Sequence, residues 1–170
     1  LFVKGPSGEI DRPLQLPLHS DQQHHPTPFP MFAQTVNATW VLTDYTEANG
    51  CLAFRPGSHL YCRQPVGKEV YADAVPVETP AGSLVLWHGN TWHGSYPKRT
   101  PGLRMGLSVG YARKYLKHPE PNHEVVTEEM LARNPERFAT LLGLNHPYGW
   151  KEEGPDMAKV NGAVVRRLHQ

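Results

Sequence analysis

The chain has 170 residues, 39% of them hydrophobic, and its 17 lysines and arginines nearly balance 16 aspartates and glutamates. This length suits one domain around a single buried core, and no basic run is long enough to follow a phosphate backbone, so we expect no nucleic-acid partner. The apolar stretches have the length of strands rather than the roughly 20 residues of a membrane span, and the first residues do not resemble a signal peptide. We therefore expect a soluble, cytoplasmic protein with no membrane partner.

Four extended, apolar-rich runs are separated by clusters of Gly, Pro, Asn and Asp and predict β-strands at residues 35–43, 51–55, 83–88 and 103–112. Two of them carry large side chains on both faces, which is typical of strands that contact packed material on both sides. A mainly β fold, with a two-sheet jelly roll as its core, follows from this pattern.

The sequence after Pro119 has the texture of helices. Thr127 is predicted to cap a helix over residues 128–133. Asn134 and Pro135 are predicted to be the N-cap and first residue of another helix, which ends at Gly143.

His19 and Asp21 are two residues apart, so on an extended segment both side chains leave the same face and can bind one ion. His93, beyond an apolar strand, can supply a third ligand. Two imidazoles and one carboxylate on one face of a metal are typical of non-haem Fe(II) oxygenases, because they leave positions open for substrate and dioxygen. Taken alone, His-x-Asp is also compatible with a loop that contains a hydrogen-bonded histidine.

His88 competes with His93 for the third ligand position. The two are an odd number of residues apart, so on a continuous strand they would face opposite ways and only one could look inward. We choose His93. The neighbouring Trp87 and Trp92 are interpreted as wall and core residues.

Arg104 lies on an apolar strand, where burying its charge without an anionic partner is costly. A guanidinium binds a carboxylate through two parallel hydrogen bonds, which a lysine cannot reproduce. The alternative is an ion pair with an Asp or Glu of the protein. Arg99 is a weaker candidate because residues 97–102 have the composition of an exposed turn.

Several motifs occur in an order that resembles the phytanoyl-CoA dioxygenase family. They are His19-Ser20-Asp21, then residues 37–44, 49–52 and 56–59, then His93-Gly94-Ser95, and then Arg104. The resemblance covers roughly residues 16–111. Members of this family are Fe(II)- and 2-oxoglutarate-dependent oxygenases built on a double-stranded β-helix.

The resemblance implies that His19, Asp21 and His93 bind iron and that Arg104 binds the distal carboxylate of 2-oxoglutarate. It also implies that Trp40 and Ser95 line the 2-oxoglutarate pocket. The expected partners are a small-molecule substrate, 2-oxoglutarate and dioxygen.

The expected reaction is hydroxylation of a small organic substrate at an unactivated carbon, with release of succinate and carbon dioxide. One alternative is the same metal core catalysing desaturation, cyclisation or peroxidation. Another, of a different class, is a non-catalytic jelly-roll module that binds a ligand.

Family members usually carry a long segment ahead of the His-x-Asp motif. We therefore expect residues 1–118 to be a jelly-roll catalytic core without that N-terminal segment, and residues 119–170 to be a helical extension that packs on the same domain. Cys51 and Cys62 are expected to be reduced thiols, since a domain of this size does not need a disulfide framework.

Overall fold

In a computed structural model, the described residues are 1–22, 25–113, 115–116, 122–144, 150–151, 154–158 and 161. The chain forms two compact units, Leu1–Tyr111 and Ala112–Gln170. Every residue predicted to form the site lies in the first unit. Within the described ranges, no helix has the length and apolar character needed to cross a membrane.

The described part of the first unit contains eight strands: β1 (Phe2–Lys4), β2 (Leu16–His19), β3 (Thr35–Val41), β4 (Leu52–Phe54), β5 (Val75–Val77), β6 (Leu84–His88), β7 (His93–Ser95) and β8 (Arg104–Ala112). One sheet has the strand order β1-β8-β3-β6 and the other the order β2-β7-β4-β5. We call them the first and the second sheet. Two four-stranded sheets confirm the predicted jelly roll, and each predicted strand is found within its predicted range.

The second sheet separates a hydrophobic core from the candidate site. Leu18, Ala53 and Trp92 belong to one cluster of buried residues. Successive side chains of a strand point to opposite faces, so the residue that follows each of these faces away from the cluster. Two of these following residues are His19 and His93.

Trp92 is fully buried and fixes the chain just before His93. Its indole Nε1–H donates to the carbonyl oxygen of Arg63 at 2.7 Å, and its backbone N–H donates to Ser58 Oγ at 2.8 Å. The Tyr61 ring packs against the indole with ring centroids 5.0 Å apart. The core side of this strand is therefore held by both hydrogen bonds and apolar contacts.

In its described residues the second unit contains three short helices, α1 (Asn122–Val125), α2 (Glu128–Ala132) and α3 (Glu136–Leu141), and a hairpin of β9 (Trp150–Lys151) and β10 (Gly154–Pro155). The Thr127 side chain accepts a hydrogen bond from the N–H of Met130, which confirms the predicted cap of α2. The helix α3 begins one residue later than predicted, with Pro135 at its N-cap. Asn134 does not cap it, because its side-chain amide donates back to the carbonyl oxygen of Met130 at 2.7 Å.

Candidate active site

His19, Asp21 and His93 meet at one point of the first unit. His19 and His93 are directly opposite each other on β2 and β7, with ring centroids 4.5 Å apart. Asp21 follows the end of β2, and its two carboxylate oxygens lie 3.7 Å from His19 Nε2 and 3.5 Å from His93 Nε2. One ligand atom from each residue lies within 4.8 Å of the other two. The spatial grouping predicted for these three residues is thus present.

Irregular pairing of β2 with β7 positions the first histidine. Leu16 is opposite Ser95 and His19 is opposite His93, so β2 has one residue more than β7 over this stretch. Such a bulge re-aims the side chain that follows it. The backbones approach so closely here that a Cβ on Gly94 would overlap the carbonyl oxygen of Leu16, which explains a glycine between His93 and Ser95.

Both imidazoles are oriented by backbone carbonyls. His19 Nδ1 lies 3.0 Å from the carbonyl oxygen of Pro17, and His93 Nδ1 lies 3.0 Å from that of Thr91. A carbonyl only accepts, so each Nδ1 carries the hydrogen and each Nε2 of the neutral rings keeps its lone pair for a metal. Burial lowers the pKa of His93, against the opposing effect of Asp21, which favours this neutral form.

Asp21 is held from the first sheet. The side-chain amide of Asn37, on β3, donates to Asp21 Oδ2. This bond leaves the other carboxylate oxygen, Oδ1, available to bind a metal ion. Asn37 was assigned no role from the sequence, although a polar residue within an apolar strand was a signal that could have identified it.

The spacing of these donors fits a single metal ion. Nitrogen and oxygen ligands lie about 2.0 to 2.2 Å from a divalent transition metal, so neighbouring ligand atoms around one ion stand about 3 to 3.5 Å apart. The shortest Nε2–carboxylate distances are 3.7 Å from His19 to Oδ1 and 3.5 Å from His93 to Oδ2 of Asp21, and both are close to that range. Two imidazoles and one carboxylate are also the donor set of non-haem Fe(II) centres.

Aromatic rings enclose one side of this cluster. The Trp87 and Phe54 rings have centroids 5.1 and 6.2 Å from that of His93. The side chain of His93 is only 8% exposed, whereas those of His19 and Asp21 are 32% and 36% exposed. The open approach to the cluster is therefore on the His19 and Asp21 side.

His88 lies apart from the cluster. It ends β6 in the first sheet, with its ring 5.7 Å from that of His59. Because His88 and His93 lie on strands of different sheets, the parity of their spacing has no bearing on which way each faces. The choice of His93 agrees with the observed grouping, although the reason given for it does not apply.

Arg104 is the first residue of β8 and is buried, with 7% exposure. Its guanidinium lies 4.6 Å above the ring of Tyr45, and a Cβ on Gly106 would overlap the Tyr45 hydroxyl, so this stack requires a glycine. Its Nε is buried without a hydrogen-bond partner, and none of the ion pairs in the described ranges includes Arg104. A buried, unpaired guanidinium is suited to an external anion.

Ser95 and Trp40 have different environments. Ser95 is buried and is two residues from His93 on β7, so its side chain leaves the same face. Trp40 is 47% exposed and pairs with Leu84, which is also exposed, on the outer face of the first sheet. The structure does not bring Trp40 to the site, because the alternation along β3 turns the adjacent Thr39 inward instead.

A row of polar side chains lies on the inner face of the first sheet, on the strands that carry Asn37 and Arg104. Asn37 and Thr39 lie on the same side of β3. Thr39 Oγ1 is 2.6 Å from Ser108 Oγ on β8, and Ser108 is four residues from Arg104.

Comparisons with known proteins agree with this geometry. The family model described as phytanoyl-CoA dioxygenase matches residues 5–106. A probable phytanoyl-CoA dioxygenase of Caenorhabditis elegans is 29% identical over 151 residues, which cover 76% of this chain and 47% of the relative. Dioxygenase andF of Emericella variicolor is 29% identical over 135 residues, covering 75% of this chain and 46% of the relative.

Among solved structures, the apo form of the non-haem monooxygenase ThoJ has a TM-score of 0.50 at 23% identity, covering 66% of this chain and 44% of that chain. At this identity the likeness shows the fold alone. This chain thus spans less than half the length of each of these relatives. Since the family model matches more than half of its residues, the chain belongs to the phytanoyl-CoA dioxygenase family.

Proposed function

We propose that this protein is an Fe(II)- and 2-oxoglutarate-dependent dioxygenase that hydroxylates a small organic substrate at an unactivated carbon and releases succinate and carbon dioxide. The observation that carries the proposal is the convergence of one ligand atom each from His19, Asp21 and His93 within 4.8 Å. Fe(II) and 2-oxoglutarate are the cofactors of the family to which the chain belongs.

In this proposal His19 and His93 bind Fe(II) through Nε2, and Asp21 binds it through its carboxylate. The Nδ1 contacts to the carbonyls of Pro17 and Thr91 support these roles, because they fix the tautomer and the ring orientation that a metal needs. Three protein ligands leave the remaining positions for 2-oxoglutarate and dioxygen.

Arg104 is proposed to bind the distal carboxylate of 2-oxoglutarate. Its burial and its unpartnered Nε support this role, since a carboxylate would satisfy both the charge and the open donor. Ser95, on the face of β7 that carries His93, is proposed to donate a hydrogen bond to the same carboxylate.

Iron held by these three residues would supply, with 2-oxoglutarate and dioxygen, the oxidising chemistry that hydroxylation of an unactivated carbon needs. The protein's own residues orient the reactants and limit water. Trp87 and Phe54 cover the buried side of His93, so substrate reaches the centre from the more exposed side at His19 and Asp21.

Anaerobic titration of the metal-free protein with Fe(II) and then 2-oxoglutarate tests the proposal. We expect stoichiometric binding of both and a visible metal-to-ligand charge-transfer band that needs the two together. Decarboxylation of 2-oxoglutarate to succinate after admission of oxygen should require the same two components. If the folded protein binds Fe(II) but produces no such band and no succinate with 2-oxoglutarate, the proposal is wrong.

A further inference from the structure

Lys4 lies directly opposite Arg104. The two residues are register partners on the antiparallel strands β1 and β8, and directly opposed residues project from the same face of a sheet. Arg104 is buried and Lys4 is partly buried. Two cations therefore stand side by side at the end of the polar row that begins at the metal ligands.

Among the described residues, no carboxylate neutralises either cation. Lys4 Nζ donates to Ser95 Oγ at 3.1 Å and to the carbonyl oxygen of Tyr96, both of which are uncharged. Arg104 lies against the face of the Tyr45 ring, which is also uncharged. In the part of the chain that the structure describes, no ion pair includes either residue.

Lys98 shows that this protein can satisfy a buried lysine without an anion. Its ammonium is fully buried and donates to Asn49 Oδ1, to both oxygens of Thr100 and to the carbonyl oxygen of Pro101, at 2.7 to 3.1 Å. Lys4 has no comparable set of acceptors. Like charges placed directly opposite each other are destabilising, so the pair of Lys4 and Arg104 is suited to receive an anion.

The bond from Lys4 also determines what Ser95 can do. An ammonium only donates hydrogen bonds, so Ser95 Oγ must be the acceptor. The hydroxyl hydrogen of Ser95 is then free to point at another acceptor. Lys4 thus holds Ser95 as a donor two residues from His93 and next to the cation pair.

We propose that Lys4 is a positioning residue for 2-oxoglutarate, which holds the Ser95 hydroxyl as a donor and shares the negative charge of the distal carboxylate with Arg104. This inference rests on the proposed function. It adds to the anion site a residue from β1, a strand that contributes nothing to metal binding.

The test compares binding of 2-oxoglutarate and of 2-oxopentanoate, which has the same chelating keto acid but no distal carboxylate. Dissociation constants are measured anaerobically by calorimetry on the Fe(II)-loaded parent and on Lys4→Met, Lys4→Arg and the control Lys68→Met. Lys68 is exposed and is not one of the residues proposed to form the site. Its replacement therefore removes a lysine charge without touching the site.

We expect Lys4→Met to weaken 2-oxoglutarate about 10- to 100-fold, which corresponds to the loss of one charge-assisted hydrogen bond. The affinity for 2-oxopentanoate should change less than about twofold, and Lys4→Arg should recover most of the loss because it keeps the charge. Lys68→Met should bind both ligands like the parent.

The inference is overturned if Lys4→Met binds 2-oxoglutarate like the parent, or if it weakens both ligands equally, which would make Lys4 a structural residue. Ser95→Ala provides a second measurement. In that background Lys4→Met should lose part of its effect, and fully additive effects would refute the coupling between the two. A parent that binds Fe(II) but not 2-oxoglutarate would instead refute the proposed function.

Discussion

Replacing Arg104 with leucine separates a ligand-binding arginine from a structural one. Leucine keeps an apolar side chain on β8 but removes the cation and all of its donors. An arginine paired with a protein carboxylate would leave that carboxylate buried and unpaired when replaced, at a cost of roughly 3 to 5 kcal/mol in folding free energy. No such partner of Arg104 is found in the described residues, so the cost should fall on ligand binding instead.

The expected changes in the free energy of unfolding and in the affinity for 2-oxoglutarate distinguish a ligand-binding Arg104 from a structural one. In the metal-free protein, Arg104→Leu loses the contact with the Tyr45 ring, about 0.5 to 2 kcal/mol. It also removes a buried, unsatisfied Nε, which relieves about 1 to 3 kcal/mol. These terms nearly cancel, so the free energy of unfolding should change by less than about 2 kcal/mol. The affinity for 2-oxoglutarate should fall by roughly 3 to 5 kcal/mol, about a hundredfold to a few thousandfold.

The assay combines urea unfolding of the metal-free protein with anaerobic titration of 2-oxoglutarate into the Fe(II)-loaded form. Arg99→Leu is the matched control, because Arg99 is exposed and not part of the site, and it should leave both quantities unchanged. A large loss of stability in Arg104→Leu, with 2-oxoglutarate bound as tightly as by the parent, would refute the reasoning and assign Arg104 a structural role.

Three further outcomes are expected. His93→Ala should abolish stoichiometric Fe(II) binding, because two remaining ligands hold the ion poorly, while cooperative unfolding of the metal-free protein persists; His59→Ala should bind iron like the parent. Asn37→Ala should weaken Fe(II) about 10- to 100-fold in an anaerobic competition titration, since it removes the group that orients the metal-binding carboxylate; unchanged affinity would show that Asn37 is dispensable. Burial, and then the Arg104 charge, lower the pKa of Lys4 to about 8, so its charge is lost as pH rises through that value. The affinity of the parent for 2-oxoglutarate should therefore decline from pH 7 to 10. A decline of equal size in Lys4→Arg would assign the effect to another group.

Four of the eight strands, β3, β4, β6 and β8, and the shared face of His19 and Asp21 were predictable because the signals are local. Turn residues delimit each strand, and the two-residue spacing of His19 and Asp21 suits the extended chain that carries them. His93 was identified by motif order, and the structure brings it opposite His19. His93 was preferred over His88 on the assumption that both lie on one continuous strand. In the structure a turn separates them, and they lie on strands of different sheets.

The residues that escaped prediction depend on contacts between the sheets. Asn37 reaches Asp21 from the opposite sheet, and Lys4 reaches Ser95 in the same way. No spacing along the chain reveals such pairs. Strand β3 also departs from the rule that apolar side chains are buried and polar ones exposed, since Trp40 is exposed and the polar Thr39 is buried. The resemblance implied that Trp40 lines the 2-oxoglutarate pocket, but its side chain lies on the exposed face of β3.

The two sheets contribute different residues to the proposed site. The second sheet and the loop that follows β2 supply all three proposed metal ligands, and this sheet is fixed on its other face by buried residues such as Trp92. The first sheet supplies Arg104 and Lys4 and carries exposed apolar side chains such as Trp40 and Leu86 on its outer face. Metal affinity should therefore depend mainly on the second sheet and on the hydrogen bond from Asn37 to Asp21. Substitutions of Lys4 in β1 and Arg104 in β8 should act on 2-oxoglutarate with little effect on iron, because both residues are proposed to bind the anionic end of the ligand.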